Sequence, residues 1–266
     1  MSSMTIDIVE TDRFAPALNL DDADPVAALR VRGFALLAAE QVRAACGVDE
    51  DALGELEPSW SDLPPDTHLR DSGGYRYRRH ASYMLDLADG ALTRVPHRAH
   101  WQPVDYNALH GGIERWFQPV DEGLDAYFAW AALLRHLGLL FAEAAGHDAP
   151  DLWFIEAHQF RIDTANGIGR PTPEGAHRDG VDYVAVILVH REHVRGGETR
   201  VFQVDSPLGV RFTLTEPWSA LLLDDTRVVH ETTPIQPAGR NGWRDTLVIT
   251  YRRGSFQEPG GERRGE

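Results

Sequence analysis

The chain has 266 residues, 42% of them hydrophobic and 25% charged, the composition of a globular protein long enough to bury a sizeable core. Its 26 basic residues face 41 acidic ones, a formal charge of −15, which argues against nucleic acid or an anionic membrane surface as partner and in favour of a small molecule. A single cysteine, Cys46, excludes an intrachain disulfide and any thiolate zinc cluster, so a metal here must be held by nitrogen and oxygen.

The opening "MSSMTIDIVETDRF" has no basic stretch followed by an apolar one, and no later window approaches the roughly 18 consecutive apolar residues of a membrane span; a cytoplasmic protein is expected. "DPVAALRVRG", with Asp24 as a cap ahead of Pro25, predicts a helix, "GFALLA" a strand and "EQVRAACGVDEDALGEL" more helix. These apolar N-terminal elements also offer a face for a homodimer. The Pro-rich stretch "EPSWSDLPPDTHLRDSGG" is a loop, and "YRYRRHASYML" then alternates with the period of a strand. There Tyr75, Tyr77 and Arg79 share one face and Arg76 and Arg78 the other. In an acidic protein such a run of cations is either paired by surplus carboxylates or gathered around an anionic ligand. "HRAHW", with His97, His100 and Trp101, reads as a loop rather than a second metal site. "EGLDAYFAWAALLRHLGLLFAEAAGHD" carries the stripe of a buried helix ended by Gly146, with Tyr127, Phe128 and Trp130 in the core.

From "DLWFIEAHQFRID" onward, short apolar runs alternate with turn signals: "YVAVILV", "ETRVFQV", "GVRFTLT", "SALLLDD", "RVVHETTPI" and "DTLVITYRR". Strands at that spacing predict an antiparallel sandwich or barrel. The expected organisation is one domain over residues 1–255, with an α/β support at about 20–148 and a β core at about 150–253, then a disordered tail over 256–266. No glycine loop sits between a strand and a helix as phosphate cradling requires.

"EGAHRDGVDYVAVILV" sets His177 and Asp179 at the mouth of a predicted strand. His230, in "DDTRVVHETTPI", follows His177 by 53 residues, the length of about four short strands and their turns. Two imidazoles and one carboxylate on one face of a metal, with the opposite face open, is the arrangement of non-haem Fe(II) oxygenases. A dicarboxylate cosubstrate needs a cation at its far end, and Arg matches a carboxylate bidentately. Arg244 opens the last strong strand with Thr246 on the same face, a clamp for 2-oxoglutarate preferred over Arg240 in a turn and Arg252 at the far strand end. His190 and His193 in "HREHV" read as a solvated turn, and Asp224 and Asp225 as groups supporting the metal ligands. In "EAHQFRID", His158 and Phe160 share one face, Gln159 and Arg161 the other. If the second pair faces the interior, Arg161 holds a substrate carboxylate; Gln159, Arg161, Tyr77 and Arg79 are the candidate substrate residues.

"PEGAHRDGVDYVAVILVHREHVRGGET", "LLLDDTRVVHETTPI" and "RDTLVITYRR" together resemble the bacterial 2-oxoglutarate and Fe(II)-dependent dioxygenase family that includes L-isoleucine 4-hydroxylase and related free amino-acid hydroxylases. The similarity is strongest over about residues 150–253. It implies an α+β fold with a double-stranded β-helix (jelly-roll, cupin-like) core and flanking, mainly N-terminal helices. It also implies Fe(II) on His177, Asp179 and His230, and 2-oxoglutarate on Arg244. The implied reaction, with O2, hydroxylates a free L-amino acid or close relative and releases succinate and CO2. Another oxidation at the same iron (desaturation, sulfoxidation or ring closure) or a non-redox binding barrel are the alternatives. One departure is Arg-Asp-Thr at 244–246 where many oxygenases of the wider superfamily show Arg-x-Ser; it keeps the hydroxyl.

Overall fold

Asp24 accepts a hydrogen bond from the Ala27 amide at 2.9 Å, which starts helix α1 (Pro25–Arg32) at its proline, and Gly33 at φ 81° ends it. The computed structural model describes residues 24–69, 74–107, 109, 111–204, 206 and 209–260. Strand β1 (Phe34–Leu37) leads into α2 (Ala39–Cys46) and α3 (Glu50–Gly54). The Pro-rich loop contains a 3-10 turn over Glu57–Trp60 and precedes β2 (Arg76–Asp86) and β3 (Leu92–Arg94). After α4 (Phe128–Ala145) the chain is strand-rich: β4 (Leu152–Asp163), β5 (Tyr183–Glu192), β6 (Val194–Gly196), β7 (Thr199–Gln203), β8 (Gly209–Phe212), β9 (Ala220–Asp224), β10 (Val228–Thr232), β11 (Ile235–Pro237) and β12 (Trp243–Arg252).

Seven of these strands form one antiparallel sheet, ordered β1-β9-β5-β12-β4-β2-β3; β10-β7-β8 form a second and β11-β6 a third. The expected split near residue 148 is therefore not a split between sheets. β1 closes one edge of the large sheet, and β2 and β3 the other. The described strands leave three separate sheets, not a closed barrel, so the architecture is α+β with an antiparallel core and N-terminal flanking helices.

Period-two alternation gives the large sheet two unlike faces. One carries Ala81, Tyr83, Leu85, Trp153, Ile155, Ile249 and Tyr251, in one apolar cluster with Trp130, Leu133, Leu137 and Phe141 of α4. There Phe141 stacks on Tyr183 at 4.8 Å, and Tyr251 donates its hydroxyl to the Leu134 carbonyl at 2.9 Å. The other face is apolar toward β1, where Phe34, Leu36, Val184, Leu188, Leu221 and Leu223 pack with Val201, Val210, Phe212 and Val228 of the three-stranded sheet. Along β12, β4 and β2 that same face turns polar and floors a cavity.

Several expectations need correction. Trp130 is core, but Tyr127 and Phe128 are 39% and 66% exposed, because they precede and open α4 before it settles on the sheet. Phe128–Asp148, at mean hydropathy 1.3, is long and apolar enough by length and composition to cross a membrane, even though charged residues interrupt its apolar run. Its inner side chains are buried on the sheet. Of the N-terminal apolar residues, Val26, Ala28 and Leu29 of α1 and all of β1 are buried within the chain, while Val31 is exposed. The tail is held through residue 260 in part by Phe256, edge-to-face on Phe154, and by buried Gln257; residues 261–266 lie outside the described residues.

Candidate active site

His177 lies in the loop before β5 and His230 in β10, yet they face each other as a backbone pair. Each amide donates to the other's carbonyl at 3.0 Å. The two rings sit 4.7 Å apart, and Asp179 completes the group, its Oδ1 3.9 Å from His177 Nε2 and its Oδ2 3.9 Å from His230 Nε2. His177 Nδ1 donates to the Gly175 carbonyl at 2.9 Å, which makes Nε2 the ring atom turned to the carboxylate, the atom a metal would take. Burial keeps the His230 imidazole neutral, its pKa well below the usual value, and raises that of Asp179. A buried carboxylate facing two ring nitrogens is what a divalent cation would stabilise.

The loop carrying Asp179 is fixed from behind. Asp225 accepts the amides of Asp179, Gly180 and Val181 at 2.9, 2.8 and 3.1 Å. Gly180 has φ +77°, and a Cβ there would stand 2.5 Å from the Tyr106 ring, so no other residue fits this turn. Gln102 donates to Asp179 Oδ1 at 3.2 Å, and Gln257 to the Gly180 carbonyl at 2.8 Å. Asp224, by contrast, bonds the Thr226 amide in a turn and does not reach the triad.

The triad opens onto a cavity of about 870 Å³, mouth included, with Arg244, Thr246, Val248 and Thr250 of β12 along its floor. Arg244 is 3% exposed, and its Nε and Nη2 have no hydrogen-bond partner among the described residues. Burial, with Arg191 nearby, pulls it down to about 10. An unsatisfied guanidinium in a cavity is costly unless an anion completes it, so the donor set fits a carboxylate cosubstrate. Arg240 is an exposed residue beside Glu192, and Arg252 lies at the far strand end against Ser255.

The model of the 2OG-Fe dioxygenase family matches residues 57–250. A crystal structure of a bsmA homolog from Methylobium petroleophilum PM1 is 53% identical, covers 89% of this chain and 94% of its own, and superposes with a TM-score of 0.84. The chain belongs to the 2OG-Fe dioxygenase family. Two more distant structures share the fold. IDO from Bacillus thuringiensis is 18% identical, covers 90% of this chain and 100% of its own, and has a TM-score of 0.69. The Fe(II)/(alpha)ketoglutarate-dependent dioxygenase TqaL is 19% identical over 87% and 89%, with a TM-score of 0.65. A search of curated proteins found no match. The protein is thus a non-haem oxygenase that uses Fe(II) and 2-oxoglutarate.

The candidate substrate residues of this dioxygenase are not where the sequence reading set them. Gln159, Arg161, Tyr77 and Arg79 lie on the helix-covered side of the sheet, in register with one another across β2 and β4. Gln159 is buried against Ser59 (2.7 Å), Arg161 forms a two-bond ion pair with Asp245 (2.8 and 2.7 Å), and Arg79 pairs with Asp62 at 3.2 Å. The cavity is instead lined by the other parity: Arg76, Arg78, His158, Phe160 and Ile162, with Gln102 and Arg115 from the loop region.

A second group, His80, His100, Glu156 and His158, also brings ligating atoms within 4.8 Å of one another. The "HRAHW" loop therefore divides: His97 is exposed and donates to the Phe117 carbonyl, while His100 is buried in this cluster. Glu156 binds His80 and His100 with its two oxygens (3.2 and 3.1 Å), and Arg98 reaches it at 3.4 Å. Arg78 donates to His158 Nδ1 at 2.8 Å. The carboxylate and the acceptor nitrogen of one imidazole are thus already occupied by hydrogen bonds, and guanidinium groups stand beside them, whereas among the described residues no arginine or lysine bonds to the triad. His190 stacks on Trp243 and His193 pairs with Glu192 at 2.8 Å; neither joins a ligand group. Glu156 was findable as a charge inside an apolar strand. Gln102 and Arg115, in loops, had no periodic signal.

Proposed function

We propose that this dioxygenase hydroxylates a free L-amino acid or a closely related small molecule, with His177, Asp179 and His230 as iron ligands and Arg244 and Thr246 at the 2-oxoglutarate. The carrying observation is the buried, unpartnered Arg244 guanidinium in the same cavity as the triad. The resemblance of the "HRDGVDY", "VVHETTPI" and "RDTLVITYRR" segments to amino-acid hydroxylases supports the substrate class. We read the two facing sheets as the halves of a double-stranded β-helix, and the protein as cytoplasmic.

When bound, iron and 2-oxoglutarate supply the oxidising power, with succinate and CO2 as coproducts. The chain's own part is placement. His177, oriented by the Gly175 carbonyl, and His230, locked to it through two backbone bonds, present lone pairs from one side together with Asp179, leaving the cavity side open. Arg244, in the same cavity, would hold the far carboxylate of the cosubstrate. The cavity walls then decide which C–H bond of the substrate faces the iron, and a displacement of about 1 Å costs on the order of 10²-fold in rate.

The test is anaerobic purification, Fe(II) loading and mass-spectrometric detection of succinate and product with 2-oxoglutarate and each free amino acid. Succinate with a product heavier by one oxygen supports the reading. A product lighter by two hydrogens, or succinate only with compounds unrelated to amino acids, replaces it.

A further inference from the structure

Three guanidinium groups of the cavity wall alternate with two aromatic rings, Phe160 in the wall and Phe117 behind it. Arg76 and Arg78 lie 5.9 and 4.3 Å from the centroid of Phe160; Arg78 and Arg115 lie 3.7 and 5.9 Å from that of Phe117. All three cations line the cavity and are at most 5% exposed. Glu156 acts on Arg78 and Arg115, and Glu174 on Arg115, from beyond hydrogen-bond range, so what these cations lack is direct partners. Asp66 is bonded to Arg76 at 2.8 Å and reaches Arg78 only at 3.9 Å, and among the described residues Arg115 has no carboxylate within ion-pair distance. Arg78 spends one N–H on His158 and Arg115 one on Gln102 Oε1 at 2.7 Å, both neutral acceptors, and the Nε of each has no partner.

Such an arrangement is expensive in a protein interior without an anion. Burial holds the Arg78 guanidinium well below its ordinary pKa, and burial with the neighbouring Arg76 brings Arg115 to about 10. The wall is also distinct from the Arg244 position. Arg78 is in register with Phe160 and Phe160 with Thr246, so two strand spacings, about 10 Å, separate β2 from β12. A dicarboxylate with its far carboxylate on Arg244 would turn its other end to the triad, while Arg78 lies on β2, two strands away.

We infer that Arg78 and Arg115 form a carboxylate subsite for the substrate, so that the molecule oxidised is a small carboxylic acid held across the cavity from Arg244. The inference rests on reading this cavity as the Fe(II) and 2-oxoglutarate site. The rings of Phe117 and Phe160 fix the guanidinium plane of Arg78 from two sides. His158 is a positioning residue: its Nδ1 accepts from Arg78, and its ring is stacked on His80 at 4.7 Å and 20°. Glu156, spanning His80 and His100, holds that ring in place; its charge acts on Arg78 without a hydrogen bond to it.

The experiment compares the proteinogenic L-amino acids with the matching L-amino-acid amides on Fe(II)-loaded protein. It reads substrate-stimulated succinate, with calorimetric 2-oxoglutarate binding measured in parallel. The subsite requires that acids stimulate and their amides do so at least about 30-fold less well in kcat/KM, the range of a lost buried charge pair. Arg78→Gln and Arg115→Gln each raise the KM for the acid by about as much, while the dissociation constant of 2-oxoglutarate stays unchanged; Arg78→Lys recovers part of the preference. Amides as effective as acids, an unchanged KM in folded variants, or 2-oxoglutarate binding with no acid that stimulates succinate would each overturn the subsite. Wild-type protein that neither binds 2-oxoglutarate nor forms succinate would instead remove the cavity reading beneath it. The acid-against-amide comparison needs only the wild type, so a variant that fails to fold does not leave the question open.

Discussion

Asp225 shows how one buried side chain governs a site it does not enter. Its carboxylate takes three successive amides of the Asp179 turn, and burial beside Asp179 pushes it up to about 7. Asp225→Ala is expected to lower Fe(II) affinity by about 10- to 100-fold, measured by metal titration under argon, with the fold retained. Asp179→Ala removes a proposed ligand itself and is expected to abolish turnover with an unchanged circular dichroism spectrum. The second cluster makes a different prediction. Burial depresses His80 and His158, and brings His100 from 6.5 to about 3. The unfolded chain therefore binds protons below 6.5 that the folded chain does not. Stability is full above that value and is lost as the pH falls through the window toward 3. Thermal melts should decline over that window, and His100→Gln should decline less steeply; equal slopes would count against the cluster as the acid-sensitive element.

At the scale of elements, α4 and the large sheet meet at Gly138. A Cβ there would stand 2.5 Å from Leu85 Cδ2 and 3.2 Å from the Tyr251 ring, and the Gly138 carbonyl takes the Trp153 indole N–H at 2.9 Å. Gly138→Ala, favourable by helix propensity alone, is expected to destabilise by about 1–3 kcal/mol through overpacking; a raised melting temperature would contradict this packing. Strands also explain which parts of the site were legible in sequence. His177, Asp179 and His230 stood out because ligand types sat at the mouth of a strand and within a returning one. The substrate face did not, because near its cavity end β2 is polar on both faces, and there the apolar Phe160 and Ile162 of β4 line the cavity while the polar Gln159 and Arg161 point away from it. Following each strand to its other end resolves the parity. Tyr77 and Arg79 continue into Ala81, Tyr83 and Leu85, and Gln159 into Ala157 and Ile155, the apolar side that a helix must cover; Arg78 continues into His80 and Ser82, and His158 into Glu156. A one-residue choice moves every side chain of a strand to the opposite face.

For the whole molecule, composition was informative about what the protein avoids and silent about where its cations gather. A chain of charge −15 nonetheless concentrates Arg76, Arg78, Arg115 and Arg244 around one cavity. Long-range pairings put them there. Arg115 comes from a loop bridged to His100, β2 lies beside β4, and β12 lies between β4 and β5, none of which local periodicity encodes. The same pairings drew β1 and β2 out of a supposed support region into the main sheet. The central claim is that this cavity joins a His177–Asp179–His230 iron centre to an Arg244 carboxylate clamp. Calorimetric titration of the Fe(II)-loaded protein with 2-oxoglutarate under argon tests it most directly. The expected result is one saturable site in the wild type, weakened by about 30-fold or more in Arg244→Met and lost in Asp179→Ala together with its iron. Wild-type protein that takes up iron at the triad but does not bind 2-oxoglutarate, or Arg244→Met protein that binds it as tightly as the wild type, would contradict the account.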